Sequence, residues 1–254
     1  MSENLKQRML RGDVLTGTFL KTPAFQLVEV LAMSDFDFIA LDAEHSPFDR
    51  GTMDACLGVA RAMNFPVLVR IPDGLPGTIL TTMDSGATGV IVPHVDSAEK
   101  AEAITRAARF GHGGRGFAGS TRWAGYATRP MPDILAQSER ETVVIGQIEE
   151  PEAVEAIDDI AAVDGLDGLF VGPADLAVCY GLTDPAAPQV RAAIKRVGEA
   201  AKKHGKCMIT FAPNADWVPE LKALGVTMYF VGSEHAFMLA GANAVAKDIA
   251  EAVS

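Results

Sequence analysis

The sequence has few cysteines and too little positive charge to balance its acidic residues. Only three cysteines occur among 254 residues, and none of them forms a C-x-x-C pair. This spacing excludes a disulfide framework and favours a reducing compartment, so we expect a cytoplasmic protein. Lysine and arginine total 22 against 33 aspartate and glutamate residues, a net charge of −11. The balance argues against nucleic acid or an anionic membrane as partner, since both select clustered positive charge.

Long apolar runs are also lacking. No uninterrupted apolar segment approaches about 18 residues, so we expect no membrane span. Residues 1–13 are polar and do not contain the apolar region of a secretory signal. Apolar residues make up 48% of the chain and charged residues 22%, which excludes a disordered, collagen-like or coiled-coil protein. No linker or repeat divides the sequence, so we expect one domain over residues 1–254.

Short segments rich in valine, isoleucine and phenylalanine alternate with alanine-rich amphipathic segments. Each apolar segment is typical of a strand that is buried on both faces, because its apolar residues run without strict alternation. Strands are predicted at 14–20, 37–41, 66–70, 88–92, 142–148, 168–171, 206–211 and 227–231. Eight strands alternating with helices predict an α/β fold, the (β/α)8 TIM barrel. An open doubly wound sheet is disfavoured, because no G-x-G-x-x-G turn follows the first strand.

Residues 111–133 interrupt this alternation. They are rich in glycine, arginine and aromatic residues and predict a long loop, and loops of this length usually carry a function. Two roles remain open for Arg115, Arg122 and Trp123 in this loop. They either close over a substrate or form a contact between subunits.

Polar side chains end most of the predicted strands, and in a parallel barrel these ends meet at one mouth. Glu149 and Asp175 follow adjacent strands and are expected to converge there. Two carboxylates and water suit a hard divalent cation such as Mg²⁺, Mn²⁺ or Co²⁺. Histidine and cysteine spacing typical of a zinc site is not found. The alternative is that each carboxylate caps a helix or pairs with an arginine.

Two further strand ends carry charged or titratable groups, and the helix start after the sixth strand adds a possible anion site. His45 lies three residues after Asp42, and a carboxylate that accepts from one ring nitrogen raises the basicity of the other. Arg70 needs an anion, either a protein carboxylate or a substrate oxyanion. Residues 172–175 begin a helix whose free N–H groups suit a carboxylate or phosphate, although a simple Gly-Pro turn is the plainer interpretation.

Six segments together form a more specific pattern. They are DAEHSPFD (42–49), VLVR (67–70), MDSGATGVIVP (83–93), GGRGF (113–117), QIEEPEAV (147–154) and LDGLFVGPADLA (166–177). In this order the segments resemble the metal-dependent, pyruvate-specific class II aldolases, the family of 4-hydroxy-2-oxoheptanedioate and 2-dehydro-3-deoxyglucarate aldolases. The resemblance implies a barrel whose C-terminal helix is exchanged between the subunits of a dimer, with three dimers in a hexamer. It also implies reversible cleavage of 4-hydroxy-2-oxoacids to pyruvate and an aldehyde.

The resemblance assigns roles to residues of this sequence. It implies that Glu149 and Asp175 bind the metal, that Gln147 contacts the 2-oxoacid and that Arg70 stabilises the enolate oxygen. It also implies that the backbone of four consecutive residues, namely Gly172, Pro173, Ala174 and Asp175, receives the carboxylate of pyruvate.

Proton transfer is assigned in the same way. The resemblance implies that His45 is the acid/base, supported by Asp42, and that Asp84 from an adjoining subunit assists it. We expect Phe19 and Phe211 to line the side of the mouth that takes the aldehyde. A Schiff-base mechanism is disfavoured, because no lysine ends a predicted strand, and Lys21, which follows strand one, is the only near candidate.

Three strand ends depart from the family pattern. Strand four ends in Pro-His at 93–94 rather than Pro-Met, strand seven continues as TFAPNAD (210–216), and strand eight ends in GSEH (232–235). The identity of the aldehyde substrate is therefore left open.

Two other functions also remain. One is a citrate-lyase-like or malyl-CoA-lyase-like enzyme, which would require basic residues for coenzyme A, and the other is a non-catalytic 2-oxoacid-binding protein.

Overall fold

The structure, a computed structural model, describes residues 4–253 and contains a closed barrel of eight parallel strands in chain order. The strands are β1 (Leu15–Leu20), β2 (Phe38–Asp42), β3 (Val67–Arg70), β4 (Gly89–Val92), β5 (Val143–Ile148), β6 (Gly168–Val171), β7 (Cys207–Phe211) and β8 (Met228–Ser233). Each strand pairs with the next one along the chain, and β8 pairs with β1 to close the barrel. The predicted TIM barrel is confirmed.

Helices follow the strands and surround the barrel. They are α1 (Leu5–Arg11), α2 (Phe25–Ala32), α3 (Arg50–Ala62), α4 (Pro76–Asp84), α5 (Ala98–Ala108), α6 (Met131–Glu141), α7 (Pro151–Glu155), α8 (Ile157–Ala161), α9 (Pro173–Cys179), α10 (Pro188–His204), α11 (Val218–Ala223) and α12 (Glu234–Ala252), with a 3₁₀ turn at Ala215–Trp217. The sequence did not predict α1 and α6. Helix α1 has only seven residues, and α6 begins inside the segment predicted as a loop, 111–133.

The strand side chains form two apolar layers. One layer lies between the strands and the helices. The other fills the barrel interior, where Phe19 stacks on Phe230 with a centroid distance of 4.3 Å and Phe38 meets Phe230 edge-on. Leu5 and Met9 of α1 join this inner layer. We call the end that α1 covers the closed end, and the opposite end, where the strands terminate, the mouth.

A buried aspartate ties α1 to the closed end. Asp167 precedes β6 and accepts a hydrogen bond from the main-chain N–H of Val144 at 2.8 Å. Its carboxylate also pairs with Lys6 of α1 at 3.1 Å and with Arg109 at 2.9 Å. These contacts hold α1 against this end of the barrel.

Gly89 of β4 tests how closely the strands pack. A Cβ at this position would overlap the main-chain oxygen of Val143 and lie 2.6 Å from its Cβ. We expect Gly89→Ala to lower the free energy of unfolding by about 2–4 kcal/mol, because backbone must move to admit the methyl group. Thermal or urea unfolding measures the effect. Gly77→Ala is the matched control, since a Cβ there has no neighbour within 4 Å. Equal stability of the two variants would contradict this account.

The C-terminal helix α12 is almost unpacked in the single chain. All residues from 235 to 253 are exposed, and they include Met238, Leu239, Val245 and Ile249. Within residues 4–253 no helix is both long and apolar enough to cross a membrane.

Candidate active site

Strand register brings the candidate residues together in two groups at the mouth. Asp42 of β2 lies beside Arg70 of β3. Ile148 of β5 lies beside Val171 of β6, which places the following residues, Glu149 and Gly172, next to each other. The carboxyl ends of the strands therefore position both groups, as expected for a parallel barrel.

Asp42 forms the centre of the first group. Its buried carboxylate accepts hydrogen bonds from Arg70 Nε at 3.0 Å and from the main-chain N–H of His45 at 3.2 Å. Arg70 Nη2 lies 2.8 Å and Lys21 Nζ 3.0 Å from its second oxygen, which is held by charge without a well-directed hydrogen bond. Burial alone would raise the pKa of Asp42, but the hydrogen bonds and charge of Arg70, together with Lys21, outweigh it and lower the pKa. Asp42 is therefore ionised at neutral pH and fixes Arg70.

The His45 ring points away from Asp42. It is exposed, and its Nε2 lies 3.5 Å from Glu44 Oε2. The expected contact between the Asp42 carboxylate and a ring nitrogen is not formed, because Arg70, Lys21 and the His45 main chain occupy that carboxylate. Glu44 lies between the ring and Arg70, 3.3 Å from Arg70 Nε. Glu44 was not among the residues predicted from the sequence, although it stands directly before His45.

Glu149 forms the centre of the second group. One carboxylate oxygen accepts the main-chain N–H of His94 at 2.8 Å and lies 3.1 Å from the ring Nδ1 of His94. The other oxygen accepts a hydrogen bond from the side-chain amide of Gln147. Burial raises the pKa of Glu149, and the negative charge of Asp175 raises it further. The hydrogen bonds from His94 and Gln147 offset part of this effect, and a cation bound between the two carboxylates would favour the ionised form of Glu149.

Asp175 reaches the same place from the first turn of α9. A Cβ on Gly172 would lie 2.8 Å from Asp175 Oδ2 and 3.5 Å from the Cβ of Glu149, so both acidic side chains flank this glycine. Within residues 4–253, Asp175 has no hydrogen bond or ion pair, and the buried Oε1 of Gln147 has no hydrogen-bond partner.

These atoms fit a hard divalent cation. In the described part of the chain, no group of three or more histidine, cysteine, aspartate or glutamate side chains is arranged to hold a metal. The donors beside Gly172 are instead the carboxylates of Glu149 and Asp175. Mg²⁺ is commonly held in this way, by one or two carboxylates with water completing its coordination.

Asp84 lies outside this mouth. It ends α4 and precedes Thr88, which hydrogen-bonds to Val67 and Val143 at the first residues of β3 and β5. The predicted loop lies at the same closed end, where Arg115 contacts Asp84 at 2.5 Å. Of the two roles left open for this loop, closure over the mouth of its own chain is therefore excluded.

Comparison with known proteins identifies the fold as that of an enzyme family. Residues 15–240 match the model of the HpcH/HpaI aldolase/citrate lyase family. The chain belongs to this family. The resemblance found from the sequence is confirmed, and the protein is an aldolase that breaks and forms carbon–carbon bonds.

Individual relatives cover most of the chain. The hydroxypyruvate/pyruvate aldolase of Roseovarius nubinhibens is 30% identical over 233 residues, which span 89% of this chain and 91% of the relative. The 5-keto-4-deoxy-D-glucarate aldolase of Klebsiella pneumoniae is 36% identical over 208 residues, 81% and 80% of the two chains. A crystal structure of a family protein from Burkholderia cenocepacia has a TM-score of 0.90 at 30% identity and covers 96% of this chain and 98% of its own.

The remaining side of this aldolase's mouth is formed by β7, β8 and β1. Phe211 is partly exposed there. Phe19 is buried, and its ring lies 4.5 Å below the Arg70 guanidinium, so it forms the floor under Arg70 rather than an outer wall. The buried carboxylate of Glu234 accepts the main-chain N–H groups of Lys21 and Thr22, which explains the unusual GSEH end of β8.

Proposed function

We propose that this aldolase reversibly cleaves 4-hydroxy-2-oxoacids to pyruvate, or a closely related 2-oxoacid, and an aldehyde with a divalent metal ion. The observation that carries the proposal is the pair of carboxylates, Glu149 and Asp175, that flank Gly172 a few strands from the fixed cation Arg70. The names of the relatives, which specify pyruvate and a keto-deoxy sugar acid, support the same substrate class. Small molecules are the proposed partners, rather than nucleic acid.

Glu149 and Asp175 would hold the metal, with Mg²⁺, Mn²⁺ or Co²⁺ as the candidates. When bound, such an ion supplies Lewis-acid stabilisation of the enolate, an effect of several kcal/mol. The raised pKa of Glu149 supports this assignment, since a cation would offset both the burial of Glu149 and its repulsion from Asp175. The amide oxygen of Gln147 is buried and has no hydrogen-bond partner, and Gln147 would contact the bound 2-oxoacid.

Arg70 and the start of α9 would orient the 2-oxoacid. Arg70 would place a positive charge beside the keto oxygen, where negative charge develops. Because Asp42 already holds its guanidinium, little reorganisation is needed during the reaction. The first N–H groups of α9 have no partner within the helix. Pro173 has no N–H, so those of Ala174 and Asp175 would receive the carboxylate.

His45 would move the protons. Its exposed ring at the mouth is placed to take the proton from the C4 hydroxyl during cleavage, directly or through water, and to return one to the methyl carbon of pyruvate. Glu44 lies beside the ring, 3.5 Å from Nε2, and would orient it. We assign Asp84 to the mouth of an adjoining subunit, where it would assist His45.

The proposal includes a homo-oligomer, a hexamer built from three dimers that exchange α12. The exposed apolar side chains along α12 support this arrangement, because they have no partner within the described chain. We also propose a cytoplasmic location, since Cys56, Cys179 and Cys207 are free.

Metal removal tests the proposed reaction. Protein stripped with EDTA is mixed with pyruvate and glycolaldehyde or succinic semialdehyde, with and without Mg²⁺ or Mn²⁺, and the adduct is measured by chromatography. We expect adduct only when metal is restored, because Glu149 and Asp175 alone cannot stabilise an enolate. Full activity after exhaustive chelation would refute the metal-dependent mechanism. Metal-dependent pyruvate binding without any adduct would point instead to a non-catalytic binding protein.

A further inference from the structure

The long loop, residues 109–130, grips the turn between α4 and β4 at the closed end. Arg122 donates to the main-chain oxygen of Ser85 at 2.9 Å and pairs with Asp54 at 2.6 Å. The main-chain N–H of Trp123 donates to the main-chain oxygen of Asp84 at 3.3 Å. These contacts hold the backbone of the turn, and one further contact holds a side chain.

That contact is the ion pair between Arg115 and Asp84. Nε and Nη2 of Arg115 both donate to one oxygen, Asp84 Oδ1, at 3.2 and 2.5 Å. The arginine side chain is 0% exposed. Its guanidinium lies between two aromatic rings, 4.5 Å from the centroid of Phe110 and 5.0 Å from that of Trp123.

This arrangement is costly if stability is its only purpose. A buried ion pair contributes little to stability, because desolvation offsets the attraction between the charges. What the pair does provide is a defined direction for the carboxylate. Oδ1 is fixed by two hydrogen bonds, whereas Oδ2 has no partner among residues 4–253, and the Asp84 side chain is 21% exposed.

The free oxygen cannot serve the mouth of its own chain. Asp84 lies at the closed end, and β4 separates the two ends by roughly 13 Å of strand at about 3.3 Å per residue. A carboxylate that is held rigidly and points out of the chain is suited to a partner molecule. The proposed function supplies that partner, a second copy of this chain whose mouth presents the exposed ring of His45.

We propose that Arg115 is a positioning residue that aims Asp84 into the mouth of a second copy of the chain, with the loop 109–130 as its support. The inference rests on the proposed function, which assigns Asp84 to the neighbouring site. It adds that Arg115 orients Asp84 and that the loop 109–130 holds Arg115 in place.

Steady-state kinetics of single and double variants test the proposal. We expect Arg115→Met to lower kcat by about 10²-fold with little change in KM, because a misplaced catalytic group costs this much while substrate contacts remain. Asp84→Asn is expected to lower kcat to a similar degree. The double variant should be no slower than the slower single variant, since Arg115 acts only through Asp84. Arg122→Met is the control, because it loosens the same turn without contacting the Asp84 carboxylate. Its melting temperature should fall while its kcat stays within about threefold.

Subunit mixing distinguishes a role of Arg115 in a site shared between chains from a purely structural role. His45→Ala and Arg115→Met chains are dissociated and reassembled together. A site that combines the intact His45 of one chain with the intact Arg115 and Asp84 of another should recover activity, up to roughly a quarter of wild type for random pairing. Absence of recovery, with wild-type chains reassembling normally, overturns the proposal.

The outcomes distinguish the role of Asp84 in catalysis from the role of Arg115 in positioning it. Wild-type kcat in Asp84→Asn refutes the assignment of Asp84 in the proposed function. A slow Asp84→Asn with a normal Arg115→Met refutes only the role of Arg115. If Arg115→Met does not fold, Arg115→Lys replaces it, because lysine keeps a cation between the rings and loses the double hydrogen bond. We expect about tenfold lower kcat for this variant, and wild-type kcat would contradict the inference.

Discussion

Asp175→Ala is expected to abolish metal binding and turnover together. Asp175 is one of two carboxylates at Gly172, and a single remaining carboxylate is a poor site for a hard cation. We expect the affinity for Mn²⁺ to fall by at least about 10²-fold and kcat/KM by roughly 10³-fold, since several kcal/mol of enolate stabilisation are lost. Calorimetric titration with Mn²⁺ and the pyruvate–aldehyde assay measure the two effects.

The fold should survive this substitution. Asp175 is exposed, has no hydrogen bond or ion pair within residues 4–253, and repels the buried Glu149. The metal-free melting temperature should therefore stay unchanged or rise, while the increase caused by Mn²⁺ in wild type disappears. Glu152→Ala is the matched control, because it removes an equal charge from the exposed face of α7 and should leave Mn²⁺ affinity within about threefold. A variant of Asp175 that is still stabilised by Mn²⁺ would place the metal elsewhere.

Arg70→Lys is expected to lower kcat by about 10²–10³-fold while metal affinity stays unchanged. This is the cost observed when one donor to a developing oxyanion is removed. Lysine keeps the positive charge beside Asp42 but cannot make the two contacts that Arg70 Nε and Nη2 make to its carboxylate. The charge at the reacting oxygen is then displaced. Steady-state kinetics and Mn²⁺ titration on the same preparation check both parts.

Lysine is a better replacement than alanine at this position. Arg70→Ala would leave the buried Asp42 with Lys21 as its remaining cation, and breaking a buried pair destabilises a protein by about 3–5 kcal/mol. Lys21→Met is the control, since it removes the other cation from Asp42 and leaves Arg70 in place. We expect it to lose less than about tenfold in kcat. A parallel loss of Mn²⁺ affinity in Arg70→Lys would show that Arg70 supports the metal site instead of the enolate.

The barrel was predictable because its strands are buried on both faces. All eight strands lie within two residues of their predicted positions, for example β5 at Val143–Ile148 against 142–148. Such strands are continuous apolar segments, which sequence patterns detect well. The helices α1 and α6 were missed, because α1 has only seven residues and α6 begins inside the segment predicted as a loop.

The carboxylate pair at the mouth also follows from the sequence, because chain order places residues after β5 and β6 at neighbouring strand ends. Side-chain partners do not follow in this way. His45 and Asp42 are three residues apart, yet the ring lies nearer to Glu44 while the Asp42 carboxylate is held by Arg70 and Lys21. These contacts depend on rotamers and on competition among charges, and sequence spacing carries neither.

The sequence by itself determined the closed parallel barrel, the family and the acidic strand ends, since periodicity and the order of strands are written along the chain. Only the tertiary structure decided which end of the barrel receives the loop 109–130 and therefore which residues Arg115 and Asp84 meet. The physical reason is that a loop of this length is free to cover either end. Its position is decided by burial of Trp123 and pairing of Arg115 with residues far away in sequence.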